Sequence, residues 1–212
     1  MSQFFNIHLD NPEARLIAQT VEVLRKGGVI AYPTDSGYAL GCMLGNSDAQ
    51  ARIRQIRGVD DKHLFTLICR NLSELGNYAI VSNSQFRLLK ANTPGAYTFI
   101  LNATREVPRK LQHPKRSTIG IRVPNHKVVQ AILEALDAPL LSMTLSVQDD
   151  DDTDVTYAEA WEINERLENL VDVVIGVDYD AHGQTTVIDL TNDAPTLIRA
   201  GLGDLAPFGL NE

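Results

Sequence analysis

The chain has 212 residues, 44% of them hydrophobic, a size that supports one well-packed core and fits one large domain better than two small ones. Its 19 Lys and Arg stand against 27 Asp and Glu, and the formal net charge of -8 repels a polyanion at long range; this argues against a general nucleic-acid binder and requires any RNA site to be local. No apolar run approaches the roughly 18 residues of a membrane span, and Met1 to Asp10 has neither the basic start nor the apolar stretch of a signal peptide, so a cytoplasmic protein with no membrane partner is expected.

The first element is a helix opened by Asn11-Pro12-Glu13, with Leu16, Ile17, Val21 and Leu24 recurring on one face until Gly27-Gly28. Val29 to Tyr32 then reads as a strand buried on both sides, ended by Pro33. Ser47-Asp48 caps a second helix through Arg57, with Ile53 and Ile56 inward and Arg54 and Arg57 three apart on a shared face. Leu64 to Cys69 reads as the next strand. Helices are expected at Asn83 to Ala91 and Asn125 to Leu136, and strands at Tyr97 to Leu101, Thr118 to Val123 and Leu140 to Thr144. A helix over Tyr157 to Leu167 and a strand over Val171 to Val177 follow. Strands at Thr186 to Leu190 and Thr196 to Arg199, joined by a turn at Asn192-Asp193, close the pattern. The alternation predicts an α/β fold: one domain spanning 1–212, core about 12–205, with a twisted mixed β-sheet covered by helices and a concave ligand face.

Cys42 and Cys69 lack any paired spacing and read as buried apolar residues, while His63, His113, His126 and His182 are scattered singly, so no metal site is expected. Asp149 to Asp152 with Asp154 reads as a solvated run ahead of a helix. The charges are uneven, since Arg105, Arg109, Lys110, Lys115, Arg116 and Arg122 fall in one stretch opposed by Glu106 alone. No P-loop and no G-x-G-x-x-G after a strand is present. The segment Tyr32 to Gly41 instead leaves a buried strand and gathers hydroxyls, a carboxylate and two glycines, a composition suited equally to an ordinary turn and to holding an amino-acid head group or phosphate oxygens.

The run Pro33-Thr34-Asp35-Ser36-Gly37-Tyr38-Ala39-Leu40-Gly41 resembles the opening signature P-T-D-T-x-Y-G-L-G of the threonylcarbamoyl-AMP synthases in the YrdC-like superfamily. In order, Pro94 to Thr98 is similar to P-G-x-x-T, Thr118 to Pro124 to T-V-G-V-R-x-P, Thr185 to Asp189 to S-T-V-V-D, and Ile198 to Gly201 to L-R-x-G. The resemblance covers most of the chain and implies the YrdC-like fold. It also implies a reaction of L-threonine, bicarbonate and ATP with Mg²⁺ to give threonylcarbamoyl-AMP and pyrophosphate for tRNA modification. Carried over residue by residue, Thr34, Tyr38, Arg122 and Thr186 would hold the amino-acid-like substrate; Arg57, Thr118, Thr144, Ser146 and Arg199 would hold the nucleotide. No catalytic residue is implied.

Two family motifs are altered. Arg57 and Val59 stand where the family has K-x-R, and Thr144-Leu145-Ser146 where it has S-x-N, departures that resemble the YciO branch. Loss of one guanidinium from a phosphate clamp costs about 2–4 kcal/mol of transition-state stabilisation, by analogy with a removed oxyanion donor, so weakened synthase activity is expected. Arg54, one turn before Arg57, is either a solvated charge or a substitute cation. Two functions stay open: an enzyme that forms or consumes an acyl-adenylate of the threonylcarbamoyl type, and a non-catalytic module that binds tRNA or double-stranded RNA by its phosphates and shape. A plain structural protein leaves the polar segment at Thr34 to Tyr38 unexplained.

Overall fold

The computed structural model describes residues 2–148, 154–155, 159–178, 183–192 and 194–210. Asp149 to Asp152, His182, Asp193 and the expected helix start at Tyr157 lie outside the described residues. In chain order the elements are β1 (Gln3–Asn6), α1 (Ala14–Arg25), β2 (Ile30–Thr34), β3 (Gly37–Met43), α2 (Ser47–Arg57), β4 (Thr66–Ile68), α3 (Leu72–Tyr78), β5 (Ala79–Ile80), α4 (Asn83–Asn92), β6 (Tyr97–Ala103), β7 (Thr118–Arg122), α5 (Lys127–Leu136), β8 (Leu140–Thr144), β9 (Val147–Gln148), β10 (Asp154–Val155), α6 (Ala160–Leu167), β11 (Val173–Gly176), β12 (Thr186–Asp189) and β13 (Thr196–Arg199). Short 3₁₀ turns occupy Arg109–Leu111 and Ala206–Phe208.

The chain forms two compact units interleaved in sequence, one from Met1–His63 and His126–His182, the other from Leu64–Asn125 and Gly183–Glu212. In the first, β1, β11, β2, β3 and β8 lie side by side, parallel from β1 to β2 and antiparallel from β2 to β8. In the second, β4, β7, β6, β12 and β13 do so, with β4–β7 and β6–β12 parallel and the other two pairs antiparallel. Each unit therefore carries mixed strands with helices between them, the α/β pattern expected from the alternation.

α1 and α5 form where the apolar spacing is most regular, and they pack on each other through faces that bury Ile17, Val21 and Leu24 on α1 and Val129, Ile132 and Leu136 on α5. α1 is not capped by Asn11: its N-cap is Glu13, whose carboxylate accepts the His8 N–H at 3.1 Å. α2 is capped by the Asn46 side chain, which accepts the Ala49 N–H at 3.0 Å, one residue ahead of the expected Ser47.

The expectation fails most clearly around Pro33. The strand runs on through Pro33 and Thr34, because β11 lies beside β2 only at Ile30 and Ala31, and the missing proline donor falls beyond that ladder. The polar segment read from sequence as a tight loop ran to Gly41, yet Gly37 to Met43 is a strand with six of its seven residues buried. A strand buried on both faces shows no polar alternation, so its sequence resembles a small-residue loop. β1, α3 and β5 were also not expected, and β4 is three residues long where six were expected.

Candidate functional site

In the first unit, the expected polar loop contracts to Asp35-Ser36 between paired Thr34 and Gly37. Gly37 has φ 125°, a conformation that L side chains rarely adopt, which explains the glycine. The Thr34 hydroxyl donates to the Gly37 carbonyl at 2.6 Å, accepts the Ser36 N–H at 3.2 Å and lies 3.3 Å from the Ser36 hydroxyl. Its hydrogen-bonding capacity is taken up by the turn, and a ligand reaches it only by displacing Ser36. Tyr38 follows the turn on the opposite face of the hairpin, and its buried phenol lies against the Val177 main chain. Burial, with the Glu159 carboxylate adding, pushes that phenol well above its ordinary pKa.

The two altered motifs meet. β3 pairs with β8 through Ala39 and Thr144, and the Leu145 N–H extends the pairing to the Tyr38 carbonyl at 2.9 Å. The Arg57 guanidinium, from the last turn of α2, then donates to the carbonyl of buried Ser146. Thr144 is exposed at the strand end and shares a face with Thr34, by the register through Gly37 and Ala39. The Arg54 side chain is 15% exposed with its Nε 3.7 Å from an Asp61 carboxylate oxygen, so it is not a solvated surface charge. It lies near enough to Cys42 to oppose the burial that pushes that thiol up to about 12. His63 is held below its usual pKa by burial first, then by Arg57, with Arg54 adding. Cations thus gather at the end of α2.

In the second unit the strand register separates the expected residues. Thr66 and Ile100 both pair with Gly120, and Ile68 with Arg122. Thr66, Ile68, Thr118, Gly120, Arg122, Thr98 and Ile100 therefore share one face. A side chain on Gly120 would come 3.4 Å from Thr98 Cγ2 and 3.5 Å from Thr66 Oγ1, as this alternation requires. Thr118 and Arg122 are both buried, and the main chain of Arg122 accepts the Cys69 N–H at 2.9 Å.

Thr186 pairs with Tyr97, whose ring stacks on Phe99 and meets Phe208 edge-on. The structure does not bring Thr186 together with Thr118 and Arg122: its hydroxyl points to the opposite face, donates to the Gly203 carbonyl at 2.7 Å and accepts the Gly201 N–H at 3.0 Å. Thr185 lies instead on the face that carries Thr98, Thr118 and Arg122. Its hydroxyl lies 2.9 Å from the Thr98 hydroxyl, and Arg199 donates through Nη2 to that hydroxyl at 3.2 Å and to the Thr185 carbonyl at 3.0 Å. Neither Thr98 nor Thr185 was among the residues expected at the site from sequence. Parity offered a signal, since Thr185, Val187 and Asp189 alternate onto one face.

Asp189 ends this face and organises the basic stretch. It accepts from the Thr191 N–H at 2.9 Å, the Thr191 hydroxyl at 2.5 Å and Arg116 Nη1 at 3.0 Å. Burial works to raise its pKa, but the Thr191 hydrogen bonds and the Arg116 charge outweigh burial and leave it below the usual value. A depressed carboxyl adds stability above its unfolded pKa that is lost as pH falls through the folded one. Asp189→Asn, which keeps an acceptor for Thr191 but loses the charge facing Arg116, is expected to cost about 1–3 kcal/mol at pH 7. Urea melts from pH 7 down to pH 2 check this, with the mutant and wild-type curves converging at the acid end.

Among the described residues no three His, Cys, Asp or Glu side chains gather as a metal cluster, and no helix is long and apolar enough to cross a membrane. The donor set of hydroxyls and guanidinium groups suits phosphate and carboxylate oxygens, and suits a Mg²⁺ carried by a nucleotide better than a resident ion.

The family model Sua5_yciO_yrdC, described as "Telomere recombination", matches residues 22–201. The uncharacterized protein YciO of Escherichia coli K12 is 55% identical over 208 residues, which cover 98% of this chain and 100% of that protein. Its crystal structure matches with a TM-score of 0.91 over 98% of this chain and 100% of its own. The threonylcarbamoyl-AMP synthase of Halorhodospira halophila is 33% identical over 120 residues, 56% of this chain and 62% of the synthase. Sua5 of P. abyssi complexed with L-threonine matches in fold, with a TM-score of 0.85 at 22% identity over 94% of this chain and 58% of its own.

Proposed function

This chain belongs to the Sua5/YciO/YrdC family, and we propose that it binds ATP with Mg²⁺ and a small amino-acid-like substrate and forms, or in reverse consumes, an acyl-adenylate of the threonylcarbamoyl type in the cytoplasm. The observation that carries this reading is the gathering of Arg122, Thr118, Thr98, Thr185 and Arg199 on one face of the second unit. Two guanidinium groups beside hydroxyls match a ligand that carries both phosphate and carboxylate oxygens. Within the first unit, the Arg57 guanidinium donates to the Ser146 carbonyl. The synthase resemblance and the threonine complex of the Sua5 relative support the substrate class.

In the synthetic direction, a carbamate oxygen attacks the α-phosphorus of ATP and pyrophosphate leaves. Arg122 and Arg199 hold the phosphates in line and spread the charge that develops on them, and a Mg²⁺ arriving with the nucleotide would supply charge neutralisation at the pyrophosphate. The weak point is Val59. Its N–H closes the end of α2 on the Arg54 carbonyl at 3.1 Å, and its half-buried side chain offers no charge. Val59→Arg is expected to raise adenylate formation at least about thirtyfold, the low end of the about 2–4 kcal/mol that one phosphate-binding cation contributes. The check is product counting with labelled ATP, threonine and bicarbonate, and separately with threonylcarbamoyl-AMP. An unchanged rate in a folded mutant would move the deficit to Ser146.

A second reading, a non-catalytic module for tRNA or double-stranded RNA, has one observation of its own. Arg105, Arg109, Lys110 and Lys115 are exposed on the β6–β7 connection and form no ion pair among the described residues. They lie in a unit whose sequence carries a net charge of +4, against -12 for the other.

A further inference from the structure

We infer that Thr186 is a positioning residue: by clamping the segment Gly201–Asp204 from the far side of β12, it holds Thr185 and Arg199 in place on the ligand face. The inference rests on the nucleotide site proposed above and gives Thr186 a different task from ligand contact.

Thr186 is fully buried, and its one hydroxyl spans the segment by accepting from Gly201 and donating to Gly203. Two further bonds fasten the same stretch: the Leu202 N–H donates to the Gln184 carbonyl at 2.9 Å, and the Tyr97 hydroxyl donates to the Asp204 carbonyl at 3.0 Å. The approach is so close that a side chain on Gly201 would collide with the Gln184 and Thr185 main chain, and one on Gly203 with the Tyr97 ring. Gly201 follows Arg199 by two residues, so fastening Gly201 fixes the end of β13 from which the guanidinium reaches Thr185. A β-bulge between Val187 and Ile188 interrupts the β12–β13 ladder beside the Val187–Arg199 pair. Arg199 is the last paired residue of β13 beyond that bulge, and the clamp adds a restraint on the residues that follow it. Valine in place of Thr186 keeps shape but removes the partner of the part-buried Gly201 N–H and of the buried Gly203 carbonyl.

The test uses the full chain with Thr186→Val, Thr186→Ser and, as a second route that leaves Thr186 intact, Gly203→Ala. ATP–Mg²⁺ affinity is measured by calorimetry, and Gly201 amide exchange and the Arg199 Nε–H resonance by NMR. Thr186→Val and Gly203→Ala are each expected to weaken ATP about tenfold, to speed Gly201 exchange and to shift the Arg199 signal. Thr186→Ser, which keeps both hydrogen bonds, should restore all three readouts. Wild-type protein that takes up no ATP would defeat the proposed function, while the two NMR readouts would still decide the clamp. An Arg199 signal unmoved in Thr186→Val and Gly203→Ala, with Gly201 exchanging freely, would overturn the inference. Ligand weakening in Thr186→Ser equal to that in Thr186→Val would overturn it as well.

Discussion

Arg122→Met is expected to weaken ATP–Mg²⁺ binding by about 10–100-fold, the loss of one charge-assisted contact worth about 1.5–3 kcal/mol. Arg122 sits buried at the end of β7, on the face that carries Thr118, Thr98 and Thr185. A buried guanidinium is expensive to desolvate, and methionine removes charge while filling similar volume. Lysine keeps the charge but not the planar fork, so Arg122→Lys should fall between wild type and Arg122→Met. Calorimetric titration of the three proteins is the check, and equal affinities would place the nucleotide elsewhere. Thermal melts run beside the titrations separate a binding defect from a folding one.

The second large effect concerns polyanions. Replacing Arg109, Lys110, Lys115 and Arg116 with Ala should flatten the dependence of log K on log[salt] for tRNA by about 3, because each phosphate contact releases counterions worth about 0.7–0.9 in that slope. Among the described residues Arg109, Lys110 and Lys115 are exposed without an ion pair, whereas Arg116 is tied to Asp189 and is expected to contribute least. ATP binding at Arg199 should stay nearly unchanged in the triple replacement of Arg109, Lys110 and Lys115, which leaves the Arg116–Asp189 ion pair in place. Filter binding at several salt concentrations measures the slope, and an RNA affinity unchanged in the quadruple mutant would remove the β6–β7 connection as the contact surface.

Much of this fold was legible in the sequence where a single physical signal dominates. α1 and α5 carry strong apolar periodicity, and the bounds of β8 and β13 agree with those expected. Legibility failed where two signals oppose each other. β3 is rich in small residues because it is buried on both faces, and the same composition describes a loop. α3, at seven residues, is too short to show a helical period, and its capping signal, Asn71 accepting the Glu74 N–H, is a single side chain.

For the candidate site, the motif positions pointed to strands β7, β8 and β12, but not to which of two neighbouring residues shares a face with Arg122. Thr185 and Thr186 differ only in parity, and parity is fixed by pairing with Tyr97 on a distant strand. The Arg57–Ser146 contact joins residues far apart in sequence, so two motif departures that look independent along the chain form one structural feature. Both are consequences of tertiary register, which local pattern does not encode.

The most direct test of the central claim, a nucleotide site built on Thr185 and Arg199, is calorimetric titration of ATP–Mg²⁺ into the wild-type chain and into Thr185→Val and Arg199→Met. The account predicts saturable binding at one site per chain with a Kd between about 1 μM and 1 mM, weakened at least about tenfold in each mutant. Binding absent from the folded wild type, or equally tight in all three proteins, would contradict it.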